Sequence, residues 1–153
     1  MELYTGKQSL IWMMLQVMNF SWNILHDLRL LKYFLKMYLK LDEKKKIAKV
    51  KDDFLSFAKH MWPEFIEGRH HKIIAKKFNE MAEGKVKRLI VNMPPRHTKS
   101  EFASSLLPAW MIGRSPKLKI IQTTHTGELA VRFGRKAKNL IDSEEYQKVF
   151  KTR

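Results

Sequence analysis

Lys99 and Ser100 are the residues whose types and position indicate chemistry most clearly. They follow a short apolar run and a loop, at the point where a helix is expected to start. A bound triphosphate requires backbone N–H groups that converge on its oxygens, a flexible cation near the β- and γ-phosphates, and a hydroxyl that can hold Mg²⁺. Because the cation and the hydroxyl are both present, the sequence predicts a phosphate-binding loop of the P-loop type.

The loop differs from the common P-loop pattern at two positions. Met93 and Thr98 stand where that pattern has glycines, and glycine is the residue that adopts left-handed backbone without steric cost. A second interpretation uses the same residues: Thr98 caps a helix, and Glu101 at the third helical position completes a capping box. The pattern alone leaves both interpretations open.

Four segments at compact spacing favour the first interpretation. They are Trp-Pro-Glu-Phe at 62–65, Gly-Arg-His-His at 68–71, the stretch 87–101, and Pro-Ala-Trp-Met-Ile-Gly-Arg at 108–114. Together they resemble the large subunit of tailed-phage terminases, in one branch of which the phosphate loop reads Pro-Pro-Arg-His-Gly-Lys-Ser. This chain departs from that loop only at Thr98. The resemblance runs from about residue 42 to the C-terminus and does not cover the first forty residues.

The resemblance implies a DNA-packaging motor. In that family a P-loop ATPase domain drives viral DNA into a capsid, and the full protein also has a metal-dependent nuclease domain. The resemblance therefore implies ATP and Mg²⁺ as ligands, and double-stranded DNA, a small terminase subunit and the capsid portal as partners. It further implies a homo-oligomeric ring and a location in the cytoplasm of the host cell, without secretion.

The nucleotide contacts implied by the resemblance are eight consecutive residues. Lys99 would neutralise charge on the β- and γ-phosphates, Ser100 would hold Mg²⁺, and Arg96 would reach the γ-phosphate. Lys99 and Arg96 are thus the candidate catalytic residues, while His97 is expected to be a hydrogen-bond donor in the loop rather than a general base. The full set is Pro94, Pro95, Arg96, His97, Thr98, Lys99, Ser100 and Glu101.

Two further groups of residues are candidates for nucleic-acid contact. Thr124 and His125 lie in a loop that resembles a nucleic-acid-contacting motif of helicase-type motors, although a simple helix cap at Thr126 explains the same residues. Arg132 and Arg135 are three residues apart on the next helix and therefore share a face. They would contact DNA phosphates or reach a neighbouring subunit's nucleotide, and a solvated helix face is the ordinary alternative for each.

Alternating strands and helices would position these residues. Apolar runs predict strands at Leu89–Met93 and Lys117–Thr124, and the order of elements requires a right-handed crossover and a parallel sheet. The predicted fold class is α/β, a partial P-loop NTPase fold with parallel strands flanked by helices, after an α-helical N-terminal segment. Periodic apolar residues predict helices at 46–61, 70–82, 102–112 and 127–141, with Gly84 and Gly113 just past two of the ends and Thr126 as a cap.

The charge of the chain indicates the class of partner. The formal net charge is +15, from 30 Lys and Arg against 15 Asp and Glu, and such an excess favours phosphate-rich partners, nucleic acid first. Many individual lysines merely solvate helix faces. The absence of cysteine excludes disulfides, thiol catalysis and Cys-ligated zinc.

The sequence suggests two regions of different origin. Residues 1–40 are an apolar and basic helical extension, and residues 41–153 are the N-terminal part of a terminase-like ATPase domain. Residues 8–25 carry no charge, but four polar side chains interrupt them, so neither a firm membrane association nor a secretory signal is expected. A surface-lying basic helix is one alternative for the segment that follows. We expect instead that Met37 is the true start and that the residues before it are upstream sequence.

A working ATPase also needs two carboxylates at the end of another strand, one for Mg²⁺ and one that orients water. Asp142, Glu144 and Glu145 follow a helix rather than a strand, so they fit neither role. The sequence stops before a strand that would carry such a pair, so we expect this chain alone to bind nucleotide weakly and hydrolyse it poorly. Two other functions stay open: a basic nucleic-acid-binding module without ATPase activity, and a helicase-like P-loop ATPase.

Overall fold

The computed structural model describes residues 28–150, and every regular element in that range is helical. The helix that starts at Lys99 continues without a break to Arg114, and its central turn has π-helical geometry. The elements are α1 (Leu28–Asp52), α2 (Phe54–Met61), α3 (Arg69–Ala82), α4 (Lys99–Glu101), the π-helix (Phe102–Leu106), α5 (Leu107–Arg114), α6 (Gly127–Asp142) and α7 (Glu144–Val149).

The predicted α/β fold class is wrong, because no β-strand occurs among the described residues and the fold there is all-α. A strand exists only where a neighbouring strand supplies hydrogen bonds. Across residues 28–150, no backbone hydrogen bond joins the two segments expected to be parallel strands, Leu89–Met93 and Lys117–Thr124. Their apolar composition was typical of strands, but composition does not supply a partner.

The exposure of these two segments shows why the prediction failed. Leu89 and Val91 pack against the core, whereas Ile90 between them is 88% exposed, so the first segment is covered on one face only. In the second segment Ile121 is 91% exposed. A buried parallel strand is covered on both faces, and neither segment meets that condition.

Aromatic side chains form the centre of the core. Phe54 of α2 is fully buried, and its ring meets those of Phe78, Phe102 and Trp110 edge-on, with centroids 5.1, 5.4 and 5.6 Å away. Edge-to-face pairs at this separation are worth about 0.5–1.5 kcal/mol beyond the burial of their area. Phe54 therefore joins α2 to α3, to the π-helix that follows the candidate loop, and to α5.

The polar groups of the buried residues Trp110 and Tyr146 have hydrogen-bond partners. The indole N–H of Trp110 donates to the carbonyl of Lys51 at 3.0 Å, and the hydroxyl of Tyr146 donates to the carbonyl of Ala109 at 2.8 Å. Burial raises the pKa of Tyr146 to about 12. These bonds fix α5 against the end of α1 and against α7.

The single helix predicted at 46–61 is interrupted at Asp53. This residue caps α2: its carboxylate accepts hydrogen bonds from the backbone N–H of Ser56 at 2.8 Å and from the Ser56 hydroxyl at 2.7 Å. Asn79 of α3 donates to the same carboxylate at 2.8 Å and accepts from the Phe54 N–H at 2.9 Å. Burial acts to raise the pKa of Asp53, but the hydrogen bonds from Ser56 and Asn79 outweigh it and lower the pKa below its usual range.

The ends of α3 and the start of α6 agree with the sequence predictions. Gly84 follows α3 with φ at 77°, where its N–H donates to the Met81 carbonyl at 3.0 Å and the Lys85 N–H donates to the Glu80 carbonyl at 2.9 Å. This is the Schellman arrangement that glycine permits. Thr126 caps α6 by accepting from the N–H of Leu129 at 3.4 Å.

The helix predicted at 102–112 is longer than expected at both ends. It starts at Lys99 and ends at Arg114, with Ser115 rather than Gly113 as its C-terminal cap. Gly113 therefore lies inside the helix. The early start places Lys99 and Ser100 in the first helical turn.

The chain divides into two compact units, residues 1–43 and residues 44–153. In the first unit, α1 exposes several large apolar side chains. No helix in the described part of the chain combines the length and the apolar character needed to cross a bilayer. The uncharged stretch at 8–25 lies outside the described residues. The exposed residues are Leu30, Leu31, Tyr33, Phe34, Leu35, Met37, Leu39 and Leu41.

Candidate phosphate-binding loop

Two loop residues other than glycine adopt left-handed backbone. They are Arg96, with φ at 64°, and Thr98, with φ at 58°. A β-branched residue is a rare occupant of this region, and such strain costs about 1–3 kcal/mol per residue. Thr98 stands where the resembled loop has glycine, so the backbone takes the conformation that glycine would adopt although the side chain disfavours it.

This backbone directs N–H groups outward from the start of the helix. Thr98 is the left-handed N-cap of α4, and Lys99 is its first helical residue. A left-handed residue beside a right-handed one turns successive N–H groups toward one concave side, which suits an anion. In the range 28–150, no protein acceptor is hydrogen-bonded to the N–H groups of Thr98, Lys99 or Ser100. These donors are therefore open to a ligand.

Lys99 spans the loop. Its ammonium group donates to the carbonyl of Met93 at 3.4 Å, which is a long hydrogen bond at an exposed site. The cation and that carbonyl thus belong to opposite ends of the loop, and a phosphate seated between them would compete only with this weak contact. Ser100, one residue on, is exposed in the first turn.

Thr98 does not use its side chain as a helix cap. Its hydroxyl donates to the carbonyl of His97 at 2.7 Å, and it makes no capping bond. Glu101 forms an ion pair with Lys136 of α6 instead of reaching back to Thr98. The capping-box interpretation is therefore wrong, and Glu101, which was predicted to contact nucleotide, faces α6.

His71 supports the loop from α3, and this role was not predicted from the sequence. Its Nε2 lies 2.7 Å from the Thr98 hydroxyl oxygen, and its Nδ1 accepts a hydrogen bond from the N–H of Gly68 at 2.9 Å. The sequence analysis did not identify a contact between His71 and Thr98. The available signal was the position of His71, three residues after a glycine that precedes a helix.

The other two histidines near the loop have distinct positions. His97 Nδ1 lies 2.9 Å from the carbonyl of Pro95, and because a carbonyl can only accept, His97 donates there. His70 Nε2 is 3.0 Å from His71 Nε2, and the rings of His70 and His97 are 5.6 Å apart. No group of three His, Asp or Glu in the described part of the chain is placed to hold a metal ion.

The predicted nucleic-acid residues lie on and before α6. Arg132 and Arg135 are both exposed on this helix. The Thr124 hydroxyl donates to the carbonyl of Thr126 at 2.6 Å, so it shapes the turn before α6, while His125 is exposed. α6 packs against the π-helix, which brings its basic residues to the same helix that carries Lys99.

A cavity of about 340 Å³ lies beside the ion pair of Glu101 and Lys136. Ser105 of the π-helix is only 2% exposed there, and its hydroxyl has no hydrogen-bond partner in the described part of the chain. A buried hydroxyl without a partner is destabilising. Apolar side chains complete the lining: Met61, Trp62, Leu106 and Leu140.

No protein-family model, curated protein or solved structure matches this chain. The loop at 94–100 and its contacts are therefore the basis on which a function is inferred.

Proposed function

We propose that this chain binds ATP with Mg²⁺ through residues 94–100, as the nucleotide-binding part of a viral DNA-packaging motor of the terminase large-subunit kind. One observation carries the proposal. Thr98, immediately before Lys99 and Ser100, stands where the resembled loop has glycine and has the left-handed backbone that glycine adopts without strain. A threonine there is strained, and strained backbone at a loop is a feature of functional sites.

The charges and donors of the loop suit a polyphosphate. The N–H groups of residues 98–100 would bind phosphate oxygens. The Lys99 ammonium would leave the Met93 carbonyl and contact the β- and γ-phosphates. The exposed Ser100 hydroxyl would hold Mg²⁺, which neutralises charge on the phosphates when bound. Arg96 adds a second cation to the same loop.

The basic face of α6 supports the DNA part of the proposal. Arg132 and Arg135 are exposed within a chain of net charge +15, and such a surface attracts duplex DNA through phosphate contacts. The small terminase subunit, the capsid portal and a homo-oligomeric ring belong to the proposal as partners of the motor. A host-cell location belongs to it in the same way.

We expect binding to exceed hydrolysis. The candidate acidic residues Asp142 and Glu144 lie at the junction of α6 and α7, not after a strand that ends beside the phosphates. Phosphoryl transfer to water usually needs a carboxylate that orients the water, and neither of these two residues is placed for that role.

The test is equilibrium binding of a non-hydrolysable ATP analogue with Mg²⁺ to the full chain. Lys99→Ala should weaken binding by about tenfold or more, because it removes a charge-assisted contact to phosphate. Lys148→Ala is the matched control, since Lys148 is an exposed lysine of α7 and its loss changes net charge equally. Equal affinities for the two variants would rule out the proposal.

A basic nucleic-acid-binding module without nucleotide binding is the second candidate, and the exposed arginines of α6 favour it. Such a module would bind DNA with a steep salt dependence. Arg132→Ala with Arg135→Ala would weaken that binding, and Lys99→Ala would not. Salt-dependent DNA binding in a chain that shows no affinity for the ATP analogue would select this candidate.

A further inference from the structure

We propose that His71 is a positioning residue for the loop: its hydrogen bond to the Thr98 hydroxyl holds Thr98 in the left-handed conformation that directs the N–H groups of 98–100 toward a ligand. This inference rests on the proposed function for its nucleotide measurement only. The conformation of Thr98 is a separate property of the chain and can be measured without any ligand.

The direction of each hydrogen bond follows from the donors available. The Gly68 N–H can only donate, so His71 Nδ1 is an acceptor and the single ring hydrogen is on Nε2. Two acceptors lie near Nε2, the Thr98 hydroxyl oxygen at 2.7 Å and His70 Nε2 at 3.0 Å, and we assign the hydrogen to the shorter contact. The Thr98 hydroxyl in turn donates to the His97 carbonyl at 2.7 Å. The Thr98 side chain is therefore held from both sides, by α3 and by its own loop.

The surroundings of the ring keep it in place and neutral. His71 is 6% exposed and lies between Phe65 and Phe102, with ring centroids 4.7 and 5.1 Å away. Burial, followed by the nearby charge of His70, lowers the pKa of His71. A neutral ring can accept from Gly68 and donate to Thr98 at the same time, which a protonated ring cannot do.

Gly68 permits this arrangement. A Cβ atom at position 68 would lie 2.7 Å from Cε1 of His70 and 3.3 Å from Nδ1 of His71. Any side chain there would displace the rings from the start of α3. The Gly-Arg-His-His segment thus places a neutral imidazole beside Thr98, 27 residues along the chain.

The bond has a specific reason to exist in this chain. A glycine at position 98 would adopt φ near 58° without strain and would need no support. Threonine is strained there, so a hydrogen bond to its side chain offsets a penalty that glycine would not incur. If this is correct, His71 becomes dispensable once residue 98 is glycine.

Two substitutions at position 71 each remove one of the two hydrogen bonds that the His71 ring makes with Gly68 and Thr98. In His71→Asn the amide oxygen takes the place of Nδ1, so the bond from Gly68 is kept and the bond to Thr98 is lost. In His71→Gln the amide nitrogen takes the place of Nε2, so the bond to Thr98 is kept and the bond from Gly68 is lost. Each variant is also combined with Thr98→Gly, and circular dichroism and thermal unfolding check that every variant is folded.

The first measurement is the affinity for the non-hydrolysable ATP analogue with Mg²⁺. His71→Asn should bind the analogue about tenfold more weakly than wild type, which is the effect of one hydrogen bond. Adding Thr98→Gly should restore wild-type affinity. His71→Gln should stay within about threefold of wild type. An unchanged affinity in His71→Asn, or a loss that Thr98→Gly fails to restore, would overturn the inference.

The second measurement is independent of nucleotide. Backbone carbon chemical shifts report whether residue 98 is left-handed, and ring nitrogen shifts report which imidazole nitrogen of His71 carries the hydrogen. We expect Nε2–H and a left-handed Thr98 in the wild type, and loss of the left-handed conformation in His71→Asn. If the wild type binds no analogue, the proposed function fails, but this measurement still decides the role of His71. A left-handed Thr98 in the His71→Asn variant would refute that role.

Discussion

The ammonium group of Lys136 on α6 pairs with the carboxylate of Glu101 in the first turn of the helix that begins at Lys99. The side chains are 51% and 35% exposed. The pair therefore lies in water at the surface, and it connects the helix that carries Arg132 and Arg135 to the helix that carries the candidate phosphate loop. Because exposed ion pairs are screened by solvent, we expect its energetic weight to be small.

A double-mutant cycle with Lys136→Ala and Glu101→Gln should give a coupling energy of about 0.2–1 kcal/mol in urea unfolding. That energy should decrease as salt is raised, because exposed charges are screened. A coupling above about 2 kcal/mol, or one that salt does not change, would mean that the pair is more shielded from solvent than its exposure indicates.

Asp53 should be a strong contributor to stability. Asp53→Ala removes the cap of α2 and the partner of the Asn79 amide, so it should lower the free energy of unfolding by about 1–2 kcal/mol. Asp52→Ala is the control, since Asp52 is the exposed neighbour at the end of α1. Urea unfolding compares the two, and equal losses would contradict the capping role.

His71 should make stability depend on pH. The pKa of His71 lies below its ordinary value of 6.5 because of burial and then the charge of His70; His97 acts in the same direction and Glu67 in the opposite one. The unfolded chain therefore takes up this proton first as pH falls. The contribution of His71 to the free energy of unfolding is fully present above pH 6.5. It is lost as pH falls from there toward the lower pKa of the folded state.

Urea unfolding between about pH 5 and pH 8 measures this dependence. His71→Asn is the comparison, because asparagine keeps the bond from Gly68 and does not titrate. The remaining histidines contribute to both proteins, so the difference between the two curves reports His71. Parallel curves across this range would contradict the lowered pKa.

Ser105→Ala should stabilise the chain. Among residues 28–150 the buried Ser105 hydroxyl has no hydrogen-bond partner, so its removal should raise the free energy of unfolding by about 1 kcal/mol. Ser104→Ala is the control, because it makes the same change in intrinsic helix propensity at the adjacent position of the π-helix. Thermal unfolding should show a larger gain for Ser105→Ala than for Ser104→Ala, and the reverse order would indicate that the hydroxyl has a partner.

The helices were predictable because their signals are local. Apolar residues at three- and four-residue steps, with Gly84 after α3 and Thr126 before α6, define those helices within a few positions of the chain. The strands were not predictable in the same way. Leu89–Met93 has the composition of a buried strand, but a strand depends on a partner elsewhere, and in the described part of the chain this segment has none.

In the candidate site, too, features local in sequence were easier to predict than contacts between distant residues. Thr98 stands where the resembled loop has glycine, and the loop pattern alone left open whether this residue caps a helix or belongs to a phosphate loop. The structure gives it left-handed backbone, with φ at 58°. The contact with His71 joins residues 27 apart in sequence, and no local pattern encodes it. Likewise, the sequence placed Glu101 in a possible capping box, whereas the structure pairs it with Lys136 of α6.

Amide chemical-shift mapping during titration with the ATP analogue and Mg²⁺ is the most direct test of whether residues 94–100 bind a polyphosphate. The N–H groups of Thr98, Lys99 and Ser100 should show the largest saturable changes, because no acceptor among the described residues binds them and they would donate to phosphate oxygens. Saturable changes centred on Arg132 and Arg135, or no saturable change at all, would contradict nucleotide binding by this loop.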